Sequence, residues 1–315
     1  VNVLATGADG FVGRWVVQAL LAAGHTVTGA VLPTRPLPPV PRAAGDRLRW
    51  LALDVTDAAS VAAAAAPAWD AVVHLAAVAS GGDALRDPAR AWTVNAAGTA
   101  RLLDALGRRR ALAEADPLVL LVSSAEVYGP GPGRPLVETD PLAPRSPYAA
   151  SKVGAEFAAR ETALRTGLRV VIVRPFPHTG PGQDTRFAIP AFAERLRVAR
   201  RIGTRVVKVG NLDVVRDVLD VRDVAAAYVA LLAHGAPGEA YNVASGVGVP
   251  LAELFERLAA IVGVDAITEA DPELVRAADL RYLVGDAAKL RAATGWAPRI
   301  PLDTTLRDLV DAQAD

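Results

Sequence analysis

Tyr148 and Lys152 stand four residues apart in the run Tyr148-Ala149-Ala150-Ser151-Lys152. In a helix, residues at that spacing share a face. An ammonium beside a phenol favours the phenolate, which is expected to bring the tyrosine pKa down from about 10 towards working pH. A tyrosine so tuned can give a proton to, or take one from, a carbinol oxygen while hydride moves at the carbon. Ser124, closing an apolar run, is placed to hydrogen-bond the same oxygen. Composition weighs on the pair: the 34 basic residues are 31 arginines and three lysines, Lys152, Lys208 and Lys289. With five tyrosines, chance gives such a pair in about one chain of twenty, so its surroundings decide. Arginine would be a poor substitute here, being a planar fork that is always charged, whereas lysine is a compact, movable donor.

A second constellation is Thr6-Gly7-Ala8-Asp9-Gly10-Phe11-Val12-Gly13, which follows an apolar run and opens a helical one. Gly7, Gly10 and Gly13 suit a tight strand-to-helix turn, backbone approach to a pyrophosphate and close helix packing. The helix start then offers N–H groups and partial positive charge to phosphates. An acid about 20 residues on commonly binds the ribose hydroxyls of NAD. Here the second strand ends Val31-Leu32-Pro33-Thr34-Arg35, with no acid before Asp46. Arg35 is therefore expected to meet a 2′-phosphate, favouring NADP(H) with NAD(H) as the other option.

The elements that must position these residues read as a βαβ series. Val1–Ala5, Thr26–Leu32, Leu48–Leu53, Ala71–Leu75, Leu118–Ser123 and Leu168–Val173 are near-continuously apolar, as strands covered on both faces of a parallel sheet are. Helical stretches lie between them near 11–23, 57–66, 89–111 and 147–166. The fold class is α/β, a doubly wound parallel sheet of Rossmann type. Residues 1–174 are expected to form the dinucleotide-binding domain. Residues 175–315 form a smaller mixed α/β substrate region, with helices near 187–200, 222–234, 250–262 and 302–312, and with about 206–244 returning to the sheet. The proline-rich stretch 33–42 reads as a rigid surface connector.

Composition excludes other classes. A net charge of zero over 315 residues removes the electrostatic case for nucleic acid or a membrane surface. No apolar run is long enough to span a bilayer. There is no cysteine, and the four histidines show no metal-ligand spacing, so no metal is expected. The chain has no methionine, and Val1 is not expected to be the first translated residue.

In order along its whole length, the chain carries TGADGFVG (6–13), LDV (53–55), HLAA (74–77), VNAAGT (94–99), SSAEVYG (123–129), YAASK (148–152) and RPF (174–176). In these it resembles the extended short-chain dehydrogenase/reductases, which modify nucleotide-activated sugars. HTGPGQ (178–183), VGNLDVVRDVLDVRDV (209–224), YNVASG (241–246), LVRAADLRYLVGD (274–286) and TGWAPRIPL (294–302) look most like the GDP-4-keto-6-deoxy-mannose reductases, then the GDP-mannose 4,6-dehydratases. The resemblance implies catalytic roles for Ser124, Tyr148, Lys152 and Glu126. It places Asp54 and Val55 at the adenine, and Leu75, Ala76, Ala77 and Pro175 along the cofactor. Asn95 braces the sheet end, and Lys152 also binds the nicotinamide ribose. Ser80, Ser124, Glu126, His178, Arg216 and Arg276 are the implied substrate residues, the two arginines holding a diphosphate.

Two departures bear on the substrate. Pro177 stands where these families usually carry asparagine, and it offers no side-chain amide. Ala125 replaces the aspartic acid of the dTDP-glucose-type dehydratases. The expected activity is NADP(H)-preferring reduction of a nucleotide-linked 4-keto-6-deoxy sugar, GDP-linked by resemblance. The alternatives are a 4,6-dehydratase or epimerase that recycles its cofactor internally, and an NADP-binding sensor without turnover. A homodimer through the helices near 89–111 and 147–166 is implied, as is a cytoplasmic location.

Overall fold

The computed structural model describes residues 1–274 and 280–313. Seven parallel strands form the main sheet: β1 (Asn2–Thr6), β2 (Thr26–Val31), β3 (Leu48–Ala52), β4 (Ala71–His74), β5 (Leu118–Val122), β6 (Arg169–Pro175) and the strand Ala240–Val243. Their spatial order is Ala240–Val243, β6, β5, β4, β1, β2, β3. The chain winds outward in both directions from β1 and β4, and ligands bind at the carboxyl ends beside such a reversal.

Alternation along each strand divides two cores. In β5, Leu118, Leu120 and Val122 face a cluster with Val16 and Leu20 of α1 (Phe11–Ala22) and with Val224 and Leu231. Val119 and Leu121 face the other side, against Leu102, Leu103 and Leu106 and against Ala155 and Ala159 of the helix Pro147–Thr166. Both faces being covered is why β5 reads as an unbroken apolar run.

β6 runs two residues beyond the expected Val173: Arg174 and Pro175 still pair, with Asn242 and Val243. The helix expected over 89–111 is interrupted. Pro88–Trp92 is α-helical, Thr93–Gly98 is a π-helical turn, and Thr99–Ala111 is α-helical again. Apolar spacing does not announce that change of winding.

The part of the second half that lies on the main sheet is narrower than 206–244. The helix Val221–His234 packs beside α1, and the strand Ala240–Val243 joins β6. Val206–Val209 pairs instead with Ile267–Ala270, and Val215–Asp217 with Gly248–Pro250. These belong with a third core around Phe192, Leu196, Leu254, Phe255, Leu258 and Leu306, where the rings of Phe192 and Phe255 meet edge to face. Among the described residues no helix is long and apolar enough to cross a membrane.

Candidate active site

The turn after β1 is shaped by what its glycines lack. Gly7 has φ +65, and a Cβ there would lie 2.9 Å from the main-chain nitrogen of Ala76. A Cβ on Gly13 would sit 2.2 Å from the carbonyl oxygen of Gly7. The turn can therefore press against the end of β4 only as written. Gly10, at the N-cap of α1, brings no side-chain cap, so the first-turn N–H groups keep their capacity for an anion. This cradle fits a dinucleotide pyrophosphate.

Around it, Arg35 donates from Nη1 to Oδ2 of Asp9 at 2.8 Å, so the exposed guanidinium lies over the glycine turn. Val55 is buried and Asp54 half-buried after β3. Asp54 Oδ1 accepts from the main chain and hydroxyl of Thr56, and these bonds hold its carboxyl below the usual range. Leu75, Ala76 and Ala77 follow β4, half-buried. Val12 lies in the first turn of α1, and Pro175 is buried at the end of β6.

The second group of residues gathers beyond β5. Ser124 caps a short 3-10 turn, accepting from the main chain of Glu126 at 3.2 Å, and its hydroxyl lies near enough to the phenol of Tyr148 to favour its ionised form. Ser146 caps the helix Pro147–Thr166 by accepting from Ala149 at 3.1 Å, and Pro147 fixes its first residue. Tyr148 and Lys152 therefore lie on its first turns. The Lys152 ammonium is buried and donates to the carbonyl of Val122 at 2.9 Å. Burial draws its pKa down to about 8, against the pull of Glu156. The expected lowering of Tyr148 is reversed. Burial and the nearby Glu126 carboxylate push its phenol up, and the Ser124 hydroxyl offsets only part of that.

Asn95 sits in the π-helical turn and is buried. Its Oδ1 accepts from the main chain of Val78 at 2.8 Å, and its Nδ2 donates to Ser151 Oγ at 2.9 Å. It thus ties the chain after β4 to the catalytic helix. Glu156 and Arg174 lie beneath, and the sequence reading did not single them out. Arg174 meets both Glu156 oxygens, at 3.0 and 2.7 Å, with both side chains 2 % exposed or less. Glu156 also accepts from Ser123 Oγ at 2.6 Å, and Arg174 donates to Tyr128 Oη at 2.9 Å. The signal for Glu156 was its place one turn after Lys152 on the same helix face.

The loop after β6 brings the second half of the chain to the glycine turn. The imidazole of His178 stacks on Phe11 of the glycine turn, with centroids 6.4 Å apart and planes at 9°. Its Nδ1–H donates to the carbonyl of Phe176 at 2.9 Å, which leaves Nε2 as an acceptor, and burial holds the ring below its ordinary pKa. Pro177 contributes its carbonyl, accepting from Leu219 at 2.9 Å. Trp15 Nε1 donates to Pro181 at 3.4 Å. Arg216 is half-buried and donates to the carbonyls of Val215 and Leu280, at 3.0 and 2.6 Å. Beside it the buried Asp217 gathers Ser245, Gly246 and Gly285 through hydrogen bonds. Ser80 caps the helix Gly81–Arg86 by accepting from Asp83 at 3.2 Å, a structural use of its hydroxyl. Arg276 lies outside the described residues.

Known proteins resemble this chain in sequence and in fold. The profile described as the NAD dependent epimerase/dehydratase family matches residues 3–244. The chain is 37% identical over 308 residues to the GDP-6-deoxy-D-mannose reductase of Pseudomonas aeruginosa, covering 97% of this chain and 94% of that protein. A solved structure of RMD from Pseudomonas aeruginosa complexed with NADPH superposes with a TM-score of 0.84 at 35% identity, covering 99% of this chain and 98% of the other. The UDP-glucose 4-epimerase of Thermus thermophilus, solved in complex with NAD, gives 0.85 at 30% identity, with the same shares covered.

Proposed function

Because this chain belongs to the NAD dependent epimerase/dehydratase family, we propose that it is an NADPH-using reductase of a nucleotide-linked 4-keto-6-deoxy sugar, specifically a GDP-4-keto-6-deoxyhexose. The observation that carries the redox chemistry is the gathering of Ser124, Tyr148 and the buried Lys152 at the end of β5, next to a glycine turn that fits a dinucleotide. The choice of sugar rests on the near full-length likeness to the GDP-6-deoxy-D-mannose reductase. NADPH over NADH is supported by Arg35 lying over the turn where a 2′-phosphate would meet it. Gly7, Gly10, Phe11, Val12 and Gly13 hold the pyrophosphate side, Asp54 and Val55 the adenine, and Leu75 to Ala77 the wall between.

The bound nicotinamide supplies a hydride to the keto carbon. The chain's own residues handle the oxygen. Ser124 donates to the carbonyl and orients it, and Tyr148 gives its phenolic proton to the oxygen as negative charge develops there. A phenol with a raised pKa keeps that proton at neutral pH, which suits an acid. Lys152 then stabilises the phenolate, its ammonium being a movable donor one turn away. Arg216 and the loop carrying His178 lie on the substrate side, with Arg276 proposed beside them.

Glu126 supports a second reading. Its carboxylate lies close enough to raise the Tyr148 phenol, and Ser146 Oγ donates to its Oε2 at 3.5 Å. A base beside the reacting carbon is what 4,6-dehydration needs, with the cofactor reduced and reoxidised in one cycle. The test is NADPH absorbance followed against product. A reductase consumes one NADPH per sugar reduced, and Tyr148→Phe abolishes that loss. Turnover without net NADPH consumption, abolished by Glu126→Gln, selects the second reading.

A homodimer is part of the same proposal. On the helix Pro147–Thr166, Phe157 and Leu164 are 64% and 89% exposed, an apolar stripe one face of which a second copy can cover. A polar, soluble nucleotide sugar as substrate supports a cytoplasmic location for the enzyme.

A further inference from the structure

We infer that Thr6, His74 and Thr99 form a positioning relay that carries the state of the nucleotide turn to the catalytic helix; this rests on the reading of that turn as the cofactor cradle. The hydrogen bonds themselves assign every donor. Thr6 Oγ1 accepts from the main-chain N–H groups of Leu75 and Ala76, at 3.1 and 3.0 Å, which occupies both its lone pairs. Its single hydrogen is therefore left for His74 Nδ1, 2.8 Å away. At the other side of the ring, Thr99 gives its hydrogen to the carbonyl of Asn95 at 2.6 Å, since a carbonyl can only accept. Towards His74 Nε2, 2.9 Å away, Thr99 must accept. His74 is fixed as the neutral Nε2–H tautomer by both neighbours. Burial and the charge of Lys152 draw its pKa to about 3, which agrees.

The sequence of bonds continues beyond Asn95. Its Nδ2 donates to Ser151 Oγ at 2.9 Å, and Ser151 donates to the carbonyl of Tyr148 at 2.7 Å. From Ala76 to the main-chain carbonyl of Asn95 every donor points the same way, so each bond polarises the next. The side-chain amide of Asn95 starts a second run to Tyr148, and the two are joined by the fixed position of Asn95 itself. None of Thr6, His74, Asn95, Thr99 or Ser151 is more than 2 % exposed, so water does not compete for these groups. The starting point is the segment against which Gly7 closes to within contact distance. The end point is the main chain of the catalytic tyrosine. The π-helical turn is what brings Asn95 into line, between Thr99 on its own helix and Ser151 on the next.

His74 and Thr99 are thus positioning residues, touching neither substrate nor cofactor. The test is amide hydrogen exchange with and without NADPH, a readout independent of turnover. In the wild-type chain, NADPH is expected to slow exchange over 93–98 and 148–152 by at least about fivefold. Thr99→Val, which keeps the shape and removes both hydrogen bonds, should bind NADPH within about threefold of wild type while that response falls below about twofold. Thr99→Ser should restore it. His74→Gln, which presents no acceptor at the Nδ1 position, should repeat the loss and serves if the valine variant does not fold. Nitrogen NMR should show His74 as the Nε2–H tautomer. A full response in Thr99→Val or His74→Gln, a serine variant as impaired as valine, or an Nδ1–H histidine overturns the relay alone. A wild-type chain that binds no NADPH overturns the cofactor reading, and the relay with it.

Discussion

Lys152 is anchored through its Nζ on the carbonyl of Val122, the last residue of β5, at 2.9 Å. One strand end thus carries both the serine beside the phenol and the seat of the ammonium. An arginine keeps the charge but cannot fold its planar fork into that seat. Lys152→Arg is expected to lower kcat by about 10²–10⁴-fold, the range for losing a positioned acid–base partner. Steady-state kinetics with NADPH check it; a variant within threefold of wild type would contradict the role.

The same lysine predicts a pH effect on stability. Its folded pKa of about 8 lies below the ordinary 10.5. Between those values the unfolded chain holds the proton and the folded one releases it, so stability gains as pH rises through the window. Below pH 8 the burial penalty is present in full. Lys152→Met removes the effect. The difference in unfolding free energy between variant and wild type, from urea titrations, should shrink by about 2 kcal/mol from pH 8 to pH 10.

Glu156 and Arg174 are a buried pair with each guanidinium contact matched. Glu156→Gln leaves the arginine charge unmatched in the core and is expected to cost about 3–5 kcal/mol. Replacing both, as Glu156→Leu with Arg174→Met, should recover most of that loss. Urea denaturation of the single and double variants reads it directly.

Arg35 is held over the glycine turn by Asp9. Removing a charge-assisted bond worth about 1.5–3 kcal/mol should raise KM for NADPH by about 10- to 150-fold. Arg35→Ala should leave KM for NADH within about threefold of wild type, because no 2′-phosphate is at stake. Equal losses with both cofactors would remove Arg35 from the choice between them.

The exposed Phe157 and Leu164 predict the assembly. Phe157→Glu with Leu164→Glu should halve the mass measured by light scattering. An unchanged mass would place the interface elsewhere.

How much of this was legible in the sequence depends on what each element buries. β1, β4, β5 and β6 were readable because their central positions are buried on both faces and read as apolar runs, whereas the edge strand β3 was readable from Leu48, Trp50 and Leu51 alone. The glycine turn and the Tyr148–Lys152 spacing were readable because their chemistry is local. Short strands such as Val215–Asp217 were not, since three residues carry no period. Nor was the ion pair of Glu156 with Arg174, whose partners meet only once β6 lies beside the helix. The polarity of Tyr148 was misjudged for a related reason. Lysine spacing is visible in sequence, whereas burial and the approach of Glu126 arise from tertiary packing.

The π-helical turn over Thr93–Gly98 separates two demands on one helix. An i→i+5 turn holds one residue more than an ordinary one. Deleting a single residue there would let the turn close as an ordinary α-turn, so the residues after it would keep their present face. Thr99 would still face His74, and Leu102, Leu103 and Leu106 would still face the sheet. What would be lost is the place of Asn95 between Val78 and Ser151, so the extra residue serves the site and not the packing of the helix that follows.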